Sequence, residues 1–408
     1  MRLATVLTAA LGFASSMEAA DPVLKPAPTA AGFPKFDVQE IATDLKIGYA
    51  VVVADIDGDG KPDIVVVDQH RVVWYQNPTW KVRTILAGKT KPDNVCVAAF
   101  DLDGGGDLEL VVGAGWKPFD TTTPGTLQWL KRGKTLDDEW TLHPIPCEEP
   151  MVHRVTVADV ADDGKLAIVM APLMGRGATA KGNWLDGRPV RIVAYPIPAG
   201  PVKGPWVPKV INEELHVVHN LTYSHSKLFT ASYEGVTQLR NTRGVWTADA
   251  EPSRPGNQSN LGGNRGSSEV TVEGVPAKPF RLRVATVKPW HGNQVVVYEQ
   301  GTREVIDDHL RWGHAVKFLW HDLVDFSTIV AGVRDDPNPK AGDTFTERRG
   351  VRLYKKLDGS KWTRHILDDG GVAVEDLAVA DLNGDGRPDI VAVGRATGNC
   401  RIYWNRGP

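Results

Sequence analysis

Cysteine is scarce in this chain: Cys96, Cys147 and Cys400 are the only three in 408 residues. They are odd in number, far apart and without metal-ligand spacing, so no disulfide framework is implied, and the sequence does not say which pair would be oxidised in a periplasm. Cys96 and Cys400 sit in apolar strand patterns and read as buried small hydrophobes. Charge of one sign is also lacking. The formal net charge is −3, so there is no basic footprint for nucleic acid. No apolar run is long enough to span a bilayer. The stretch Leu3 to Ala14, behind Met1-Arg2 and ahead of small residues through Ala20, reads instead as a signal peptide over 1–20. That implies export to a periplasm or out of the cell. Residues 21–34 read as a Pro/Ala linker, which leaves 35–408 as one domain. Patterns for nucleotide or serine-hydrolase chemistry are absent.

What the chain has is glycine (41), proline (28) and 42% hydrophobic residues, enough for many turns and a substantial core. It also has a repeated acidic loop. Asp55-Ile-Asp57-Gly-Asp59-Gly-Lys61-Pro-Asp63 lies between the β-branched runs Val51–Val53 and Ile64–Val67. Carboxylates at positions one, three, five and nine put hard oxygen ligands on one side of a turn that the glycines permit. The flanks make it a strand–loop–strand unit, unlike an EF-hand. The pattern returns as Asp381-Leu-Asn383-Gly-Asp385-Gly-Arg387-Pro-Asp389. Position seven, Lys61 and Arg387, completes the two candidate calcium sets. Asp101–Glu109 has lost the fifth-position acid, and Asp159–Ala167 has lost two ligands.

Aligned on the strand before this loop, seven units follow one another, with anchors Asp55, Asp101, Asp159, His225, Gly274, Trp320 and Asp381. Each continues into a second apolar strand and an aromatic third strand, and several into a fourth that starts with Trp (Trp80, Trp140, Trp206, Trp362). The last unit lacks a fourth strand, while Phe36–Ile41 ahead of the first has the fourth-strand pattern. This predicts an all-β, seven-bladed β-propeller of four-stranded blades, closed by the N-terminal strand completing the last blade. The loops and flanks together resemble the FG-GAP/VCBS repeats of integrin-like propellers. The resemblance implies structural Ca2+ in loops one and seven, serving stability.

Innermost strands line a propeller's channel, so equivalent positions form rings. Six residues before the anchors stand Tyr49, Val95, His153, His219, Ser268, His314 and Glu375; the next position holds Ala50, Cys96, Arg154, Asn220, Glu269, Ala315 and Asp376. Three histidines and a glutamate at one level form a polar constellation where an ordinary core ring would be apolar. It suits zinc or another divalent ion, or metal-free general-base chemistry. Long loops fall on the same side. They bring Arg176, Lys181, Trp184, Trp290, His291 and Asp335, which with Tyr49 suit a carbohydrate or sugar-derived ligand.

Glu149-Pro-Met-Val-His153-Arg154 and Ala171-Pro-Leu-Met-Gly-Arg176, with Gly313-His314 and Val330–Asp335, resemble the propeller domain of the aldos-2-ulose dehydratases, without their cupin domains. The resemblance implies a carbon–oxygen lyase that eliminates water from a keto sugar such as 1,5-anhydrofructose or a 3-keto-glycoside. His153 would be the base, Arg154 or a metal would stabilise the enolate, and His219, His314 or Glu375 would hold the metal or protonate the leaving group. Two alternatives compete. One is a non-catalytic, calcium-stabilised propeller that binds glycans or proteins through this face. The other is glycoside hydrolysis by a pair among Glu269, Glu375 and Asp376.

Overall fold

The computed structural model describes residues 32–242, 244–250, 266–275, 280–319, 328–334, 349–357 and 361–408. The signal-peptide stretch lies outside these residues. Strands fall into seven antiparallel sheets of four, and each sheet is one predicted blade. The inner strands are Ala50–Ala54, Cys96–Phe100, Val152–Ala158, Asn220–Ser224, Glu269–Val275, Gly313–Leu319 and Val374–Ala380. Each packs against the inner strands of both neighbours, and Val374–Ala380 meets Ala50–Ala54, so the ring is closed. Among the described residues no helix is long and apolar enough to cross a membrane.

The second strands are buried between neighbouring blades on both faces, which is why Asp63–Val67, Glu109–Ala114 and Asp389–Gly394 read as continuous apolar runs. Third strands bury their aromatics, Trp74 and Trp129 completely. The fourth strand of blade five, Thr302–Asp307, carries no aromatic in the sequence, while that of blade four, Val245–Ala250, has Trp246 at its second position. Thr302–Asp307 is largely exposed, with only Asp307 buried, so nothing forces its composition. All three cysteines are free, with Cys96 and Cys400 buried as expected.

The acidic loops share one internal device. The position-nine carboxylates Asp63 and Asp389 are fully buried. Asp63 accepts hydrogen bonds from the amides of Ile56 (3.0 Å) and Asn77 (2.8 Å), and Asp389 from those of Leu382 (3.0 Å) and Asn405 (2.8 Å). Each carboxylate thus ties its loop to the third strand of its own blade. Gly58, Gly60, Gly384 and Gly386 all have positive φ, and their amides turn onto Asp55 or Asp381. In blade two a cation is already present. The Lys131 ammonium is bonded to Asp103 and lies 3.7 Å from Glu109. Blade four replaces the loop with a two-residue turn, His225-Ser226, both at positive φ, which is the geometry a tight hairpin requires.

Closure is achieved by Lys35–Ala42, which pairs antiparallel with Cys400–Gly407 in the last blade. Phe36 and Val38 are buried against Leu353, Leu367 and Tyr403. Arg401 holds Glu40 at 2.9 Å, and Trp404 donates its indole N–H to Gln39 at 3.0 Å. Phe33, within the stretch read as linker, is also buried and packs on His365. Without the closing strand, Cys400–Gly407 would present an unpaired edge. Phe36→Ala is expected to cost about 3–5 kcal/mol in urea unfolding, as for a buried aromatic truncated in a packed core. An unchanged midpoint would mean that the closing strand contributes little to the ring.

Candidate ligand site at the channel mouth

Two backbone features bring the predicted ring residues to the axis. The inner strands of blades three, six and seven open on irregular register steps spanning Val152/Arg154, Gly313/Ala315 and Val374/Asp376. The skipped residues are His153, His314 and Glu375, which a bulge frees from the ladder and re-aims. Two residues ahead of the ring position the chain is left-handed in six blades, at Ile47, Asp93, Met151, Val217, Gly266 and Trp312. For Ile47 and Val217, β-branched residues at φ 66° and 48°, this conformation is strained, and such strain collects at functional sites.

The imidazoles lean on their neighbours in one rotational sense. His153 donates from Nδ1 to the carbonyl of His219 (3.0 Å), His219 to that of Ser268 (2.8 Å), and His314 to that of Glu375 (2.6 Å). Those bonds select the Nδ1–H tautomer and make each Nε2 an acceptor, that of His219 toward Nε2–H of His291. Arg154 approaches Nε2 of His153 at 3.4 Å. His291, from the loop between the second and third strands of blade five, places its Nε2 2.9 Å from Nε2 of His219. The ligand nitrogens of His219, His291 and His314 lie within 4.8 Å of one another, so this cluster could hold a divalent metal.

Burial, reinforced by the Arg154 or Arg334 guanidinium, holds all four imidazoles well below the ordinary histidine value. They are neutral donors of lone pairs. Glu375 is the one carboxylate in the pocket wall: burial pushes it up, but Arg334 (3.0 Å) and Arg395 (2.8 Å) outweigh that and hold it below the usual range. Glu269 sits behind His219, accepting from its Nδ1 at 3.0 Å and from Asn220, with Arg154 at 3.4 Å. Burial pushes it up to about 7. Asp376 is turned onto the amide of Val51. Paired carboxylates facing one another across the pocket, as glycoside hydrolysis needs, are therefore not found among the described residues.

Above the imidazoles opens a cavity of about 590 Å³, walled by Trp116, Phe119, Trp184, Trp290 and Trp312. It collects Tyr49, His153, Arg154, His219, His314, Glu375, Trp184, Trp290 and His291, on the face where the loops are elaborated. Tyr49 lines it with its hydroxyl committed to Asp93 at 2.7 Å. Two expected ligand contacts lie elsewhere. Arg176 donates to the carbonyls of Thr122 and Glu148 and braces two loops, and Lys181 is exposed outside the cavity wall. Asp335 is outside the described residues. Arg334, Arg395, Trp312 and Phe119 were not singled out from the sequence. Arg334 and Arg395 each follow the last residue of a second strand, Thr328–Val333 and Asp389–Gly394, so aligning the blades on second-strand ends exposes them.

Fold and mouth define a closed seven-bladed propeller with a buried histidine cluster at one end of its channel. Residues 48–112 match the FG-GAP-like repeat, and residues 124–301 match the aldos-2-ulose dehydratase beta-propeller domain, to which that region is homologous. The second match contains His153, His219 and His291 but ends before His314, Arg334, Glu375 and Arg395. No curated protein matches in sequence. Solved structures share the fold. BBS1N in complex with ARL6DN is 12% identical with a TM-score of 0.53, covering 92% of this chain and 98% of that one. The WD40 beta-propeller domain of Doa1 is 14% identical with a TM-score of 0.53, covering 90% and 96%. The extracellular domain of the two-component system BT4673 of B. thetaiotaomicron is 10% identical with a TM-score of 0.51, covering 91% and 39%.

These findings overturn the expected carbon–oxygen lyase. The propellers sharing this fold over nine-tenths of the chain are described as a partner-bound domain, a WD40 domain and a sensor's extracellular domain. Replacing Glu269 by Ala leaves the buried donors of His219 and Asn220 without this acceptor and is expected to destabilise the fold by about 1–3 kcal/mol in urea, with Glu269→Gln costing less. Equal losses in the two variants would show that the charge of Glu269 plays no part.

Proposed function

We propose that this protein is a non-catalytic binding propeller that takes a carbohydrate-type ligand at the channel mouth. One observation carries the reading: a cavity of about 590 Å³ whose walls are aromatic and whose floor is a cluster of neutral, tautomer-locked imidazoles. Aromatic faces stack on the apolar faces of sugar rings, while imidazole and guanidinium groups pair with hydroxyls. The match of residues 124–301 to a domain named for an aldos-2-ulose enzyme supports a sugar-class ligand.

His219, His291 and His314 would hold a divalent ion, zinc by preference for a nitrogen ligand set. The fit is good. Two nitrogens on tetrahedral zinc stand about 3.3 Å apart, so the His219–His291 pair, at 2.9 Å, needs only a small opening. Bound there, the ion would supply a Lewis-acidic contact for a ligand oxygen. Loops one and seven would take Ca2+, through Asp55, Asp57, Asp59, Lys61 and Asp63 and through Asp381, Asn383, Asp385, Arg387 and Asp389. Blade two already holds Lys131 among its acids.

Three outcomes are expected. Zinc content by elemental analysis should be one ion per chain and fall to none in His291→Ala; an unchanged content would remove the ion from the mouth. Calcium at a hundred times its dissociation constant should stabilise the protein by about 2.7 kcal/mol per site. The rise in Tm should disappear in Asp55→Asn combined with Asp381→Asn, and its persistence would place calcium elsewhere. Calorimetric titration with mono- and oligosaccharides should show saturable binding that Trp290→Ala weakens, with the sugar recovered unchanged by NMR. Conversion of the sugar would sink the non-catalytic reading, and absence of binding by every sugar would sink the ligand class.

A further inference from the structure

Three guanidinium groups, Arg154, Arg334 and Arg395, line the cavity, and among the described residues one carboxylate, that of Glu375, faces them there. All three draw on that carboxylate electrostatically. It is already shared: Arg334 Nη1 binds one oxygen at 3.0 Å, and Arg395 Nη1 the other at 2.8 Å. Nε of Arg334 is buried without a hydrogen-bond partner among the described residues. Arg154 has only long contacts with an acid, 3.4 Å to Glu269, which is committed to His219 and Asn220 as well. The four imidazoles beside them are neutral and add no balancing charge. Deeper in the channel Asp376 feels both Lys317 and Arg154, so that among the described residues four cations face three acids, Glu269, Glu375 and Asp376.

The guanidinium groups are also held in place before any ligand arrives. Arg334 lies over the ring of Trp312 at 5.5 Å and Arg395 over that of Tyr49 at 5.3 Å. Cation–π stacking fixes the planes, and Glu375 fixes the spacing. A positive surplus inside an aromatic-walled cavity is costly unless an anion completes it. Planar, oriented guanidinium forks match a carboxylate better than a hydroxyl.

We infer that the ligand of the mouth is a sugar acid, its carboxylate seated on Arg334 and Arg395 with Arg154 as the third cation. This rests on the reading of the mouth as a carbohydrate site and narrows it from sugars in general to uronates and aldonates. A neutral sugar would leave the guanidinium surplus uncompensated.

The test is calorimetric titration of the full chain, with zinc and after chelation, using D-glucuronate, its methyl ester and D-glucose. Glucuronate is expected to bind at least tenfold more tightly than either neutral probe, in both metal states. Arg395→Gln should erase the difference, and Arg395→Lys should restore part of it; circular dichroism and urea midpoints confirm that the variants fold. Equal affinities for glucuronate, its ester and glucose would overturn the sugar-acid inference and leave the carbohydrate site standing. A preference that survives Arg395→Gln and requires zinc would overturn the arginine seat. No binding of any probe to folded protein in either metal state would overturn both this inference and the carbohydrate reading.

Discussion

The pairing of Lys35–Ala42 with Cys400–Gly407 is the constraint on which the rest depends. A propeller blade cannot bury both of its faces alone. It needs a neighbour on each side, and an open array would leave its two end blades half exposed. Closing the ring sets all seven inner strands at one level around a common axis. Only then do His153, His219 and His314, contributed by three blades and far apart in sequence, stand with their Nε2 atoms toward the same space. The site is a consequence of closure rather than of any local motif.

The mouth also shows how a channel can be polar without being charged throughout. His153, His219 and His314 each spend an N–H on the next blade's main chain, so the buried donor is satisfied and Nε2 is turned to the axis. Burial beside arginine keeps the rings neutral. The guanidinium groups are spaced by one shared carboxylate and oriented by aromatic rings. Strain at Ile47 and Val217 is tolerated because packed blades on both sides hold the turns.

Much of the fold was legible in the sequence because its signals are periodic. The acidic loops, the apolar second strands and the displaced fourth strand recur at corresponding places, so each unit confirms the others. The ring histidines were legible for the same reason. Thr302–Asp307 was not, since an exposed outer strand is under little compositional constraint. His291 was visible as a loop residue, but its approach to His219 depends on where a turn places a side chain, which no period encodes. Arg334 and Arg395 escaped because they follow the second strand rather than precede the inner one. Arg176 misled for the opposite reason. It lies in the right loop, yet its guanidinium is consumed by the carbonyls of Thr122 and Glu148.

The acidic loops distribute resilience unevenly around the circle. In blade two a lysine side chain sits among the acids, a cation that no chelator can withdraw. In blades one and seven Lys61 and Arg387 each pair with one acid of the set, Asp59 and Asp385, rather than with two. Those blades are the two that flank the seam. Asp389 in the seventh is tied to Asn405, within the very strand that receives Lys35–Ala42. If calcium fills those two loops, its loss would weaken the circle first where its two ends meet. A breach would begin there and peel outward, reaching the blades opposite the seam last.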